Sequence, residues 1–265
     1  MITKEIIDSY IEKIPPVPKT LQETIHFLNI GELTKASNIA QEDLALTSYL
    51  KTIVNKPIYG FRNEVSDVSQ IFGILGVSGA QQCVYNYLLT LLSPDKWSLF
   101  KLNKTSFYEL QAHLSIKWKK ILEHLNIKDK NIESAITLLP ASIIVCDALF
   151  AEKIEDVNIL RGVKNLDFNT ILFRLSNFDL FDICEEIAKK WDMPENITNI
   201  IQSSSGIKPS IDNSVDILGK WMHLLLFYEL SQPMFIEAEL NDFIEFNVDY
   251  VEEIYEEFIE LMDIN

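Results

Sequence analysis

QEDLALTSYLKTIVNKPIYGF, residues 41–61, reads as one helix with a marked start and a marked stop. Asp43 stands where a side-chain carboxylate can accept from the first free amides of a helix. Leu46, Leu50, Ile53 and Val54 then recur at the helical period and share one face. Lys56-Pro57 ends the run, because proline lacks an amide hydrogen and disfavours helix in the residue before it. Ile58-Tyr59-Gly60-Phe61 reads as a tight loop.

The same grammar extends in both directions. Upstream, IPPVP at residues 14–18 must be extended, with three prolines in four positions. A helix follows from Lys19 or Thr20 to about Leu28, carrying Leu21, Ile25 and Leu28, and a short one from Leu33 to Ala40. Downstream, Ser66 is the expected N-cap of a helix bearing Val68, Ile71, Phe72 and Leu75, with Gly76 as its C-cap. Another helix runs from Ser78 or Gly79 to about Leu92, and Ser93-Pro94-Asp95 interrupts the chain. Helical patterns then fall at roughly 104–126, 131–150, 154–162, 167–175, 178–190, 194–203, 212–231 and 247–262. In the last of these, Val248, Val251, Ile254, Phe258 and Leu261 form the expected apolar stripe. No strand alternation, repeat or low-complexity linker is present, so the expected fold class is all-α with short connections.

Composition agrees with a packed helical chain. Of 265 residues 48% are hydrophobic, and only 8 are Gly and 9 Pro. The net charge is −16, and from Trp221 onward 12 acidic residues meet no Lys or Arg. Such a surface repels polyanions, so neither nucleic acid nor an anionic membrane is an expected partner. Cys83, Cys146 and Cys184 lack metal-ligand or disulfide spacing. The amino terminus has no signal-peptide core, and the apolar run Ala135 to Ala151 falls short of the about 20 residues a membrane span needs. A cytoplasmic location is the expectation.

In their order, IPPVP, the 41–61 stretch with Asp43, Asn55, Tyr59 and Gly60, and VSDVSQIFGILGV (65–77) resemble the HDOD family of bacterial signalling proteins. Leu44 departs from that pattern, where the family usually has Pro, and Lys56-Pro57 stands where a small serine is usual. The resemblance implies a multi-helix unit over 1–265, with an amino-terminal helical subdomain (1–95) packed on an HD-like bundle (96–265). In SFYELQAHLSIKWKKIL (106–122), the first metal-binding histidine of related phosphohydrolases falls at Leu110. In AITLLPASIIV (135–145), the His-Asp pair falls at Ser142 and Ile143. In CEEIAKKWDMPENITNIIQSSSG (184–206), Trp191, Met193 and Pro194 fit the late segment, and its histidine pair has become serine at Ser203 and Ser204.

These substitutions bear on chemistry. Metal-assisted phosphohydrolysis needs several His and Asp side chains converging on a cation. Only His26, His113, His124 and His223 are available, and no two share a helical turn with a carboxylate beside them. No Walker loop, dinucleotide fingerprint, HExxH or nucleophile elbow occurs. The expectation is therefore no enzyme activity, no metal and no cofactor. Asp43 is expected to cap its helix, Asn55 to bond local backbone, and Tyr59 to brace its loop or anchor a partner. The resemblance implies signal transduction through a protein partner. Two alternatives stand beside it: a residual phosphohydrolase, and a pocket for a nucleotide second messenger served by Lys117, Lys119 or Arg174.

Overall fold

The computed structural model describes residues 2–13, 19–56, 61, 63–129, 132–164, 166–191, 193–207 and 209–264. Every regular element among them is helical. The chain forms two compact units, one made of Met1–Lys13 with Ser93–Asn265 and the other of Ile14–Leu92.

The smaller unit contains α2 (Lys19–Asn29), α3 (Leu33–Ala40), α4 (Leu44–Val54) and α5 (Val68–Leu92). Helices α2, α3 and α4 all pack on α5 or on one another, around Leu21, Leu28, Leu46, Leu50, Val54 and Phe72, each fully buried. The Asp43 carboxylate accepts from the amides of Ala45 and Leu46, both at 2.9 Å, and so starts α4. At the start of α5 the cap is Asp67 and not Ser66: its Oδ1 accepts from Gln70 N at 2.7 Å. A carboxylate one residue nearer the helix reaches the third amide with a full charge. Gly76 divides α5, with φ 67° and ψ −178°, a conformation restricted almost entirely to glycine.

Asn55 closes the connection between α4 and α5. Its Oδ1 accepts from Val65 N at 2.8 Å, while its Nδ2 donates to Val65 O and Lys51 O, each at 2.9 Å. The bond crosses ten residues, farther than the local backbone contact expected of it. Tyr59, Gly60 and Ile14 to Pro18 lie outside the described residues.

The larger unit is built around α7 (Leu138–Ala151), eleven of whose fourteen residues are buried. The sequence pattern runs a helix through 131–150, but residues Ile132–Thr137 form a 3-10 turn and the α-helix begins at Leu138. Pro140 is the reason: it cannot donate to the carbonyl four residues back, and is tolerated only in a helix's first turn. The stretch Ile132–Ala151 is long and apolar enough to cross a membrane, yet 83% of its 18-residue apolar window is buried inside the protein.

The unit also contains α6 (Lys104–His124), α8 (Ile154–Lys164), α9 (Phe168–Ser176), α10 (Leu180–Lys190), α11 (Glu195–Ser203) and α12 (Asn213–Leu230). Helix α10 packs on α7 and α11, α11 on α12, and α12 on α6. The first helix, α1 (Lys4–Lys13), falls within 1–95 by sequence but packs on α7 and α10. Ile2 N also donates to Leu175 O at 2.6 Å, and Tyr10 hydrogen-bonds Glu152.

Two long-range features organise this unit. Asp147 on α7 is 3% exposed. It accepts three backbone amides from the 98–100 turn: Ser98 at 2.8 Å, Leu99 at 2.9 Å and Phe100 at 3.2 Å. That turn inserts Phe100 among Phe150, Phe168 and Phe243, with ring centroids 5.3–6.3 Å from its own.

The carboxyl-terminal segment adds helical turns before residue 247 and breaks the single helix expected over 247–262. It consists of α13 (Pro233–Glu237), a 3-10 turn at Leu240–Phe243, α14 (Val248–Val251), a 3-10 turn at Glu252–Ile254, and α15 (Tyr255–Leu261). Val248 leaves the apolar stripe at 59% exposed, and Tyr250 enters it at 8%. At about 100° per residue, Val248 lies roughly 100° from the centre of a stripe through Val251, Ile254, Phe258 and Leu261. Tyr250 falls at its edge.

Candidate functional site

Helices α6, α7 and α11 carry the positions at which the sequence reading placed lost metal ligands. Leu110, Ser142, Ile143, Ser203 and Ser204 are all buried. Leu110 and Ile143 offer no lone pair. Ser142 Oγ donates to Leu139 O at 2.7 Å, and Ser204 Oγ to Ile201 O at 2.7 Å, each turned back onto its own helix. Ser203 and Ser204 sit together where α11 ends beside α12; no described hydrogen bond joins them to Ser142.

A divalent cation does not fit these groups, because a neutral hydroxyl already donating to a carbonyl is a poor ligand beside imidazole or carboxylate. Among the described residues no cluster of three or more His, Cys, Asp or Glu side chains has the geometry to hold a metal. His113 and His124 stand on one helix about 16 Å apart at 1.5 Å per residue. Burial raises the thiol of Cys146 well above its ordinary value and that of Cys184 to about 12, so neither supplies a thiolate near neutrality.

The serine positions hold the carboxyl-terminal segment in place. Ser203 Oγ and the Tyr250 hydroxyl share a hydrogen bond at 2.8 Å, and each oxygen lies 3.3 Å from Asp216 Oδ1, so one hydroxyl donates to the other and the remaining proton goes to the carboxylate. Ser210 N joins the same oxygen at 3.1 Å, and Lys220 pairs with Oδ2 at 3.3 Å. Burial is the main cause of a raised Tyr250 phenol. The approach is close: a Cβ at Gly219 would lie 2.5 Å from Ser203 Oγ.

Next to this network, His223 on α12 is fully buried. Its Nε2 accepts from Asn247 N at 3.2 Å, which leaves Nδ1–H to donate to Ser204 O at 2.9 Å. Both nitrogens are thereby satisfied in the neutral ring. Burial holds its pKa below the ordinary 6.5, and the Ser204 carbonyl offsets that in part. Asn247 Nδ2 in turn donates to Gly206 O at 2.8 Å.

The His113 side chain is 45% exposed, with Nδ1 3.3 Å from Glu229 Oε2. Glu229 is fully buried on α12, and Lys117 pairs with its Oε1. Lys117 is therefore already engaged. Lys119 lies about 200° around α6 from it and is exposed, as is Arg174 on α9. The pattern analysis singled out neither Asp147 nor Glu229. Their signal was an acid inside an apolar run, SIIVCDALF and WMHLLLFYEL, since a carboxylate buried with its helix must have a partner elsewhere.

Comparison with known proteins places these features in a family. Two solved structures share the fold. One is an HDOD domain protein of unknown function from Geobacter sulfurreducens, with TM-score 0.60 and 15% identity over 94% of this chain and 91% of that one. The other is a proposed phosphohydrolase from Shewanella amazonensis SB2B, with TM-score 0.63 and 14% identity over 97% of both chains. No curated protein matches. The HDOD domain model matches residues 14–206, well over half of the sequence, and the chain belongs to the HDOD domain family.

Proposed function

We propose that this chain is a non-catalytic interaction module of a bacterial regulatory pathway, acting in the cytoplasm through a protein partner. The observation that carries this reading is the chemistry at the degenerate positions. Leu110, Ser142, Ile143, Ser203 and Ser204 present hydrocarbon or hydroxyls already bonded to the protein. A metal-activated water needs anionic or imidazole ligands and an open coordination position. Here the α11–α12 junction is filled by Tyr250, Asp216 and His223, which anchor the carboxyl-terminal segment.

The test has two arms. Full-length protein is purified from cells grown with added manganese, iron or zinc, and its metal content and hydrolysis of bis(p-nitrophenyl) phosphate are measured. The expected result is metal far below one equivalent and no turnover above buffer. Stoichiometric metal with hydrolysis abolished by a chelator would overturn the non-catalytic part. In the second arm, partners captured from the native host are purified and recombined with the chain. Failure of every captured protein to bind the purified chain would overturn the partner-mediated part.

A further inference from the structure

The carboxyl-terminal segment leaves one face open. Phe246, Val248 and Tyr255 line a hollow of about 590 Å³ whose rim is Glu252, Glu253 and Glu256. Val248 is 59% exposed and Tyr255 44%. The aromatic wall is braced from behind: Phe246 stacks on Phe227 at 4.4 Å between centroids and faces Tyr255 at 6.3 Å. Glu253 pairs with Lys220. Among the described residues no ion pair reaches Glu252 or Glu256, and the last 45 residues contain no Lys or Arg to supply one.

We propose that this hollow docks an arginine-bearing basic segment of a partner protein, a proposal that rests on the partner-mediated reading above. The chemistry selects the occupant. A purely apolar ligand would leave the rim carboxylates facing hydrocarbon, which costs free energy unless they are paired. A nucleic acid, or a second copy of a chain with net charge −16, would bring like charge to the rim. A guanidinium satisfies both parts of the site, because its plane stacks on Tyr255 or Phe246 while its N–H groups fork onto a carboxylate. Opposite charge at the rim also steers encounter and sets specificity. The hollow lies beyond residue 206, outside the stretch matched by the family model.

The test is fluorescence anisotropy of the full-length chain. Its probe is a fluorescein-labelled synthetic peptide of alternating arginine and leucine, run beside versions carrying lysine or glutamate. Arginine is expected to bind best, lysine more weakly and glutamate not at all, with affinity falling as salt rises. Glu252→Gln with Glu256→Gln should weaken the arginine peptide by about tenfold. Tyr255→Ala should weaken it at unchanged charge. Glu155→Gln with Asp156→Asn, which removes the same two charges from exposed positions on α8, should leave it unaffected. Circular dichroism melts confirm that each variant is folded. Equal loss in both charge-removal pairs, or equal binding of the arginine and glutamate peptides, would overturn the docking site. If this test fails while captured partners still bind the purified chain, only the surface assignment falls. If those partners also fail, the wider reading falls with it.

Discussion

Replacing Asp147 should destabilise the larger unit more than any change at its surface. The carboxylate is 3% exposed and is the acceptor for three consecutive amides, Ser98, Leu99 and Phe100. In Asp147→Ala, the Ser98 amide regains water because that residue is exposed, so its loss is about 1 kcal/mol. The Leu99 amide is half-buried and Phe100 is buried; orphaning them costs about 1–3 kcal/mol each. The total is about 3–7 kcal/mol. Asp147→Asn keeps an oxygen for Leu99 and Phe100 but sets an NH2 against the Ser98 amide, for a cost of about 1–2 kcal/mol. All four tryptophans, Trp97, Trp118, Trp191 and Trp221, lie in this unit. Urea unfolding followed by tryptophan fluorescence therefore reports on it alone, and Trp97 stands 6.3 Å from Phe100 by ring centroid. The expected order of stability is wild type, then Asn, then Ala, at constant m value. A loss below about 1 kcal/mol for Asp147→Ala, or equal losses for the two variants, would refute the assignment of Asp147 as the anchor of that turn.

Three other outcomes are expected. His223 has a lowered folded pKa, so below about pH 6.5 the unfolded chain takes a proton that the folded one refuses. Stability should therefore be fully retained above that pH and fall by about 1.4 kcal/mol per pH unit as pH drops toward the folded value. His223→Gln should remove this slope in urea titrations at stepped pH, and an unchanged slope would count against the buried neutral imidazole. Gly76→Ala should cost about 1–3 kcal/mol from backbone strain alone, since a Cβ there meets nothing within 4 Å; denaturation followed by far-ultraviolet circular dichroism measures it, and a neutral effect would contradict the φ of 67°. Asn55→Ala should lose about 2–3 kcal/mol and speed hydrogen exchange at the Val65 amide, which donates to Asn55 Oδ1; unaltered protection at Val65 would show that another group holds the connection.

Much of the fold is legible in local patterns. Asp43 with Leu46, Leu50 and Val54 marks α4 because a cap and an apolar stripe act within four residues of one another. Gly76 marks the break in α5 for the same reason. Pro233 at the first position of α13 was a readable start signal that the pattern analysis passed over. The candidate site divides along the same line. The resemblance to the family, together with residue type, put hydroxyl and hydrocarbon where its relatives carry ligands, at Leu110, Ser142, Ile143, Ser203 and Ser204.

What those residues do instead was decided by tertiary structure. Ser203 meets Tyr250 across 47 residues, Asp147 meets the 98–100 turn across 47 to 49, and Lys117 meets Glu229 across 112. The packing of α1 on α7 and α10, far along the chain, belongs to the same class. Sequence by itself determined that the chain is helical and where most of the helices lie, with caps such as Asp43, because those depend on neighbours within a turn. Only the folded chain decided which buried carboxylate meets which amide, and that the carboxyl-terminal segment docks on α12. A buried charge accepts any donor that packing delivers, and no local periodicity specifies which one that will be.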